Sequence, residues 1–350
     1  MSQLITLRNE TSNPEYGKPP EKRDMRELLQ SGVVCIDKPV GPTSHQAADF
    51  VKNILKVEKA GHAGTLDPHV SGLLVVGINN GTKILKAQLE APKEYVCLMY
   101  VHKAPKDSEV KEILKEFTGP LLQRPPIRAA VLRVLRVREI YENKFLEHEG
   151  KNVLFKVSCE AGTYIRRLCH DMGLALGSGA HMKQLRRVKS GAFDESSITT
   201  LHDLADAYAY WTEDALLGTA SLLAGSETKF RLISRSARDS DEKPLRKIIQ
   251  PLENALSHLP RVIISDFAVD SLAHGAQLAI PGVLQLSKEI KAGDLVGVFT
   301  QKGEGVMLAT ALMSSEEIAE KEKGFAFKTE RILIKQGIYP KFKKLDKKQS

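Results

Sequence analysis

Apolar residues recur at two spacings along this chain, and the switches between them mark its elements. Gly32-Val33-Val34-Cys35-Ile36 and Leu73-Leu74-Val75-Val76-Gly77-Ile78 are continuous apolar runs that predict buried strands. Residues 93–101, rich in β-branched and aromatic side chains, predict another. Val153, Phe155, Val157 and Cys159 alternate with Leu154, Lys156, Ser158 and Glu160, the period-two pattern of a strand with one apolar face. Helical spacing links Ala47, Phe50, Val51, Ile54 and Leu55 behind a Thr43 or Ser44 cap. It also links Val110, Ile113, Leu114 and Phe117 behind Asp107, and Ile165, Leu168, Cys169 and Met172 behind Thr163. A short helix-like stretch covers 82–89, and a basic, extended segment from Gln123 to Arg128 leads into a strand expected over 131–140.

Punctuation divides the chain further. Residues 1–30 are polar, with Pro14, Pro19 and Pro20, and by composition alone read as a floppy extension. From 198 to 256 the chain reads as helical and connecting, with a charged, proline-containing loop over 231–247. A boundary falls near Ser257-His258-Leu259-Pro260. Beyond it, short apolar runs at 262–264, 294–299 and 305–311 predict a small β-barrel-like module, the last two joined by a turn at Gln301-Lys302-Gly303-Glu304. The chain thus divides into an extension (1–30), a main domain (31–256), a small β domain (257–340) and a basic tail (341–350).

Composition narrows the class. A chain of 350 residues can bury a sizeable core, and its formal net charge of +8 favours a polyanionic partner. No apolar run approaches the length of a membrane span, and Met1 is not followed by a signal-peptide pattern. Cys35, Cys97, Cys159 and Cys169 lie far apart, mostly inside apolar runs. They read as reduced core residues of a cytoplasmic protein rather than a disulfide framework or a zinc site.

The richest candidate chemistry lies in Gly61-His62-Ala63-Gly64-Thr65-Leu66-Asp67-Pro68-His69-Val70-Ser71-Gly72. Its glycines and proline oppose regular structure, so a single carboxylate, Asp67, sits on an irregular loop set against a core strand. Three readings are open. Asp67 is an ordinary turn aspartate, a reactive acid, or, with His62 and His69, part of a metal site in a hydrolase. Off the apolar stripe of the 165–172 helix, Arg166 is either a solvated arginine or a partner that keeps Asp67 ionised.

With Ile36-Asp37-Lys38-Pro39-Val40-Gly41-Pro42-Thr43-Ser44, Gly162-Thr163-Tyr164-Ile165-Arg166-Arg167-Leu168-Cys169-His170-Asp171-Met172-Gly173 and Leu185-Arg186-Arg187-Val188-Lys189-Ser190-Gly191-Ala192-Phe193, the Asp67 stretch completes four motifs in order. Together they resemble the TruB family of pseudouridine synthases over nearly the whole chain. The resemblance is strongest to archaeal members, which are similar to eukaryotic dyskerin and act in H/ACA guide-RNA particles. It implies an α+β fold: a catalytic domain with a mixed, mainly antiparallel sheet flanked by helices, plus a C-terminal RNA-binding PUA domain. It also implies that residues 1–30 are ordered against the C-terminal domain. Relatives often carry serine or threonine at Ala63 and threonine at Ser71, both beside Asp67.

The resemblance assigns Asp67, Arg166 and Tyr95 to catalysis, and His62, Tyr164, Leu185 and Lys38 to substrate binding or bracing of the loop. It implies isomerisation of uridine to pseudouridine with no cofactor and no metal. The substrates it implies are the TΨC loop of tRNA and rRNA selected by a guide RNA, with small H/ACA accessory proteins as partners. Breaking and re-forming a glycosidic bond requires a carboxylate near an everted nucleotide, and eversion costs roughly a few kcal/mol. Asp67 could attack C1′, attack the ring, or remove a sugar proton. Burial beside Leu66 and Leu185 would raise its pKa, against Arg166. The competing class is a non-catalytic RNA-binding scaffold, which would have no need of Asp67, Tyr95 and Arg166 together.

Overall fold

The computed structural model describes residues 3–125, 134–212 and 242–341. The remainder of the basic segment after 125, the start of the strand expected from 131, most of the 231–247 loop and nearly all of the lysine-rich tail lie outside them.

In chain order come β1 (Leu4–Thr6), α1 (Met25–Ser31), β2 (Gly32–Lys38), α2 (Ser44–Ile54), β3 (Ala60–Ala63) and β4 (Ser71–Ile78). Next are α3 (Leu85–Glu90), β5 (Lys93–Val101), α4 (Asp107–Glu116), β6 (Gly119–Gln123), β7 (Arg136–Glu149) and β8 (Asn152–Cys159). Then follow α5 (Ile165–Ala175), β9 (Ala180–Ser190), β10 (Phe193–Asp194), α6 (Leu201–Trp211), α7 (Lys243–Ile248) and β11 (Ile249–Pro251). The last are β12 (Arg261–Ile264), α8 (Asp266–Ala273), β13 (Leu278–Ala279), β14 (Val283–Ser287), β15 (Leu295–Thr300), β16 (Gly305–Ala311), α9 (Ser315–Glu320) and β17 (Phe325–Ile332). None of the described helices is long and apolar enough to cross a membrane.

These elements form two compact units. One comprises the described parts of Met1–Val33, Gly77–Ala87 and Ile249–Ser350; the other comprises Val34–Val76 and those of Gln88–Ile248. In the first, a sheet runs β1-β14-β12-β15-β16-β17-β13 around a core that includes Val262, Leu272, Val298, Met307 and Phe327. β15 and β16 form an antiparallel hairpin, whereas β12 lies parallel to β15. The N-terminal segment, floppy by composition, is ordered here. β1 pairs antiparallel with β14, and the buried Glu253 takes a two-pronged ion pair from Arg23, at 2.7 and 2.9 Å. Glu253 also accepts the Gly305 N–H at 2.9 Å, which helps satisfy a buried charge that is costly when left unpaired.

In the second unit, the sheet path runs β2-β4-β9-β5-β8-β7-β6; β4 meets β9 in parallel, and the pairs from β9 through β5, β8 and β7 to β6 are antiparallel. β5 lies between β8 and β9, and its inward residues Cys97, Met99 and Val101 meet Val153, Phe155 and Val157 under α4 and α5. All four cysteines are buried and free; the Cys97 and Cys169 sulfurs lie 3.5 Å apart without a disulfide.

Local details depart from the expected pattern. Phe50 does not join the buried stripe of α2: Ala47, Ala48 and Val51 do, while Phe50 is 45% exposed. Residues 61–63 are not irregular but form β3 against β4, so the true loop starts at Gly64. Thr163 does not cap α5, because its hydroxyl donates back to Glu160 O at 2.7 Å and Tyr164 takes the cap position. Lys106, rather than Asp107, is the residue that precedes α4.

The core should respond accordingly. Phe155→Ala, at a fully buried ring, should cost about 3–5 kcal/mol in urea unfolding, whereas Phe50→Ala should cost less than about 1 kcal/mol.

Candidate active site

The loop that carries Asp67 is fastened along its length. Leu66 N–H donates to Ser44 Oγ at 2.7 Å, and that hydroxyl donates to Leu66 O at 3.0 Å. Both groups are buried, and the serine is available because Thr43, not Ser44, caps α2 through a box with Gln46. Gly41 N–H donates to Pro68 O at 2.9 Å, and Val70 N–H turns back to Asp67 O at 3.0 Å. The first motif therefore braces the second through backbone and hydroxyl contacts. Asp37 of that motif also takes a bidentate pair from Arg186, at 2.9 and 3.0 Å.

The loop's two ends lean on one buried side chain, Arg187. Its Nε donates to Leu73 O at 2.7 Å and a terminal nitrogen donates to Gly64 O at 3.1 Å. Gly72, at φ +102°, pairs with Arg187 where β4 meets β9. A Cβ there would fall 2.3 Å from Arg187 O, so the backbone approach requires glycine.

Asp67 and Arg166 form an ion pair between Oδ2 and a guanidinium nitrogen. Their side chains are 51% and 59% exposed. The burial expected of Asp67 beside Leu66 is thus missing in the free chain: Leu66 is buried, but the carboxylate next to it points out. Arg166 lies at the start of α5, and Gln123 fixes that start by accepting Tyr164 N–H at 2.9 Å. Tyr164 contributes its backbone to this junction and is partly buried.

Tyr95, on β5, stands directly across from Arg187 on β9, where a bulge shifts the register between Glu94 and Tyr95. Burial pushes the Tyr95 hydroxyl pKa up, and the nearby charge of Arg187 opposes that rise. Leu185, two residues earlier on β9, pairs with Cys97 and packs on the same core as Tyr95. Lys38 is wholly buried, and its Nζ donates to Pro39 O at 2.7 Å. Its pKa is lowered, first by burial and then by Arg187, while Asp67 partly restores it. Lys93 donates to three carbonyls, of Gln88, Leu89 and Ala91, at 2.6–2.8 Å. Burial and Arg187 bring its pKa down to about 8. His62 lies on β3 with a buried Nδ1 that has no hydrogen-bond partner; burial, His45 and Arg187 favour its neutral form.

Lys38, His62, Tyr95 and Asp67 are therefore tied electrostatically to one cluster, with Arg187 and Arg166 as its guanidiniums. No group of three or more His, Cys, Asp or Glu among the described residues is placed to hold a metal ion, so His62, Asp67 and His69 do not form a ligand set. Ser44, Gln123 and Arg187 are contributors that sequence reasoning did not assign to the site. Only Arg187 had a signal, through Gly64 and Gly72, which mark close backbone approaches.

Residues 52–108 match the TruB family pseudouridylate synthase N-terminal domain, and 166–257 match the tRNA pseudouridylate synthase B C-terminal domain. Residues 260–333 match the PUA domain, and 1–48 match the DKCLD (NUC011) domain. The chain is 48% identical over 338 residues to the probable tRNA pseudouridine synthase B of Methanosarcina mazei, covering 97% of this chain and 93% of that one. It is 47% identical over 339 residues to the protein of the same name from Pyrococcus furiosus, covering 97% and 92%. Among solved structures, a chain of a Cbf5-Nop10-Gar1 complex matches with TM-score 0.87 and 46% identity, covering 98% of this chain and 97% of that one. A chain of an H/ACA RNP bound to a substrate RNA containing 2′-deoxyuridine matches with TM-score 0.84 and 44% identity, covering 97% of both.

Fold, motifs and site define an RNA pseudouridine synthase with a PUA domain. The chain belongs to the TruB family of pseudouridylate synthases.

Ser44→Ala removes the hydroxyl on which Leu66 N–H and C=O both depend. It should cost about 1–3 kcal/mol in unfolding free energy, and should increase the mobility of the loop around Asp67 as read by amide exchange at Leu66.

Proposed function

We propose that this protein isomerises uridine to pseudouridine in RNA, acting in the cytoplasm on the TΨC loop of tRNA and, as the catalytic subunit of a guide-RNA H/ACA particle, on rRNA. The observation that carries the reading is the Asp67–Arg166 pair: one carboxylate on a braced loop, with an always-charged partner reaching it from a separate helix. The relatives named as tRNA pseudouridine synthase B and the solved H/ACA assemblies support the two substrate classes. The net charge of +8 suits a polyanion.

The reaction breaks N1–C1′ and forms C5–C1′, after which the C5 proton leaves and N1 gains one, so the balance needs no outside group. Asp67 supplies the carboxylate, as nucleophile or base. Arg166 orients it, and because both are half exposed, water leaves when the everted nucleotide arrives. Stacking on Tyr95 offsets part of the cost of eversion, and Leu185 lines the apolar side of the site. Tyr164 and His62 shape the surrounding wall, and the buried Lys38 braces the first motif through Pro39 O. A small-protein partner and a guide RNA complete the particle when rRNA is the substrate.

The test is release of tritium from C5-labelled uridine, both in tRNA and in an rRNA fragment paired to a guide RNA with accessory proteins added. Wild-type protein should turn over at least one of these RNAs, and Asp67→Asn neither. Arg166→Met should fall at least about 10²-fold, since an electrostatic partner of a reacting group is removed. Full turnover by Asp67→Asn would remove this acid from the reaction.

A further inference from the structure

A guanidinium buried to 1% exposure is expensive, and Arg187 carries that cost without an ion pair among the described residues. Its charge also disfavours the protonated forms of Lys38, Lys93 and His62. An apolar side chain of similar length would fill the space without these penalties. What the arginine gains is reach. One fork meets Leu73 O, just beyond the Asp67 loop, and Gly64 O, just before Asp67. On β9, Arg187 stands opposite Tyr95, at a bulge whose extra residue, Val188, lies on β9. Gly64, at φ +84°, leaves room for it: a Cβ there would sit 3.3 Å from an Arg187 terminal nitrogen.

We infer that Arg187 is a positioning residue for the reaction, holding both ends of the Asp67 loop to the strand that faces Tyr95, so that acid and ring keep their spacing when a nucleotide enters. The inference rests on the assignment of Asp67 and Tyr95 to the pseudouridine synthase reaction. It differs from a purely structural role in its consequence: the chemical step, rather than RNA binding or global stability, should depend on the link. A planar five-donor fork makes these bonds together, and a lysine ammonium on the same stem would keep the charge but lose part of the geometry.

The experiment uses the full chain with Arg187→Met, Arg187→Lys, Tyr95→Phe and the Arg187→Met/Tyr95→Phe double variant. Single-turnover tritium release at saturating enzyme reads the chemical step, filter binding reads RNA affinity, and urea unfolding reads stability. Arg187→Met should slow release by about 10²-fold while RNA affinity changes less than about threefold, and Arg187→Lys should recover part of the rate. Tyr95→Phe should slow release on its own. The double variant should lose less than the product of the two single losses, because Arg187 and Tyr95 face one another across neighbouring strands. Effects that multiply, or a Tyr95→Phe rate equal to wild type, would overturn the inference. So would an Arg187→Met loss explained by an unfolded fraction.

A second readout does not depend on turnover. With 3-fluorotyrosine at position 95, fluorine NMR should show a broader ring signal in Arg187→Lys than in the parent protein. Identical spectra would contradict the inference. If the parent releases no tritium from either RNA, the functional assignment fails, while the fluorine spectra still decide whether Arg187 holds Tyr95.

Discussion

A lone aspartate on a glycine-containing loop is useful to catalysis only if the loop does not move, and the anchoring of residues 64–72 is the constraint on which the rest of this site depends. Three residues from two stretches of the chain hold it. Ser44 fixes Leu66 from the start of α2, Gly41 holds Pro68, and Arg187 spans from Gly64 to Leu73. None of these contacts touches the Asp67 carboxylate, which is left to Arg166. Fastening of the backbone and tuning of the acid are thus separate tasks given to separate residues, a division suited to precise placement of a reactive group.

The electrostatics follow from that division. Arg187, Lys38 and Lys93 put positive charge beneath the loop, and burial with mutual repulsion lowers the lysine pKa values. Asp67 works against this lowering at Lys38. Lys93 keeps its proton at neutral pH with three carbonyl acceptors around it. The Asp67 carboxylate has a guanidinium beside it and stays open to solvent.

Much of this was legible in the residues. The continuous apolar run at 73–78 is fully buried β4, and the period-two run at 153–159 is β8 with Val153, Phe155, Val157 and Cys159 inward. These patterns report burial directly. Phe50 misled because helical spacing gives a stripe but not its width, and small Ala48 took the inner face instead. Thr163 misled because a hydroxyl before a helix can serve the preceding turn as readily as the first N–H groups. Arg187 left only an indirect signal, the glycines its approach requires. In the string Leu185-Arg186-Arg187-Val188-Lys189 it looks like one more solvated charge, and only the strand alternation of β9 turns it inward while Arg186 reaches Asp37. Ser44 could be read as a cap, and its contact with Leu66 spans 22 residues that no local pattern connects.

The central claim is that the backbone around Asp67 is as rigid as the strand that follows it. Amide hydrogen exchange at Leu66, whose N–H is held by a buried serine, tests this most directly. The account predicts protection of Leu66 comparable to that of Val75 in the middle of β4; exchange at the rate of an open loop would contradict it.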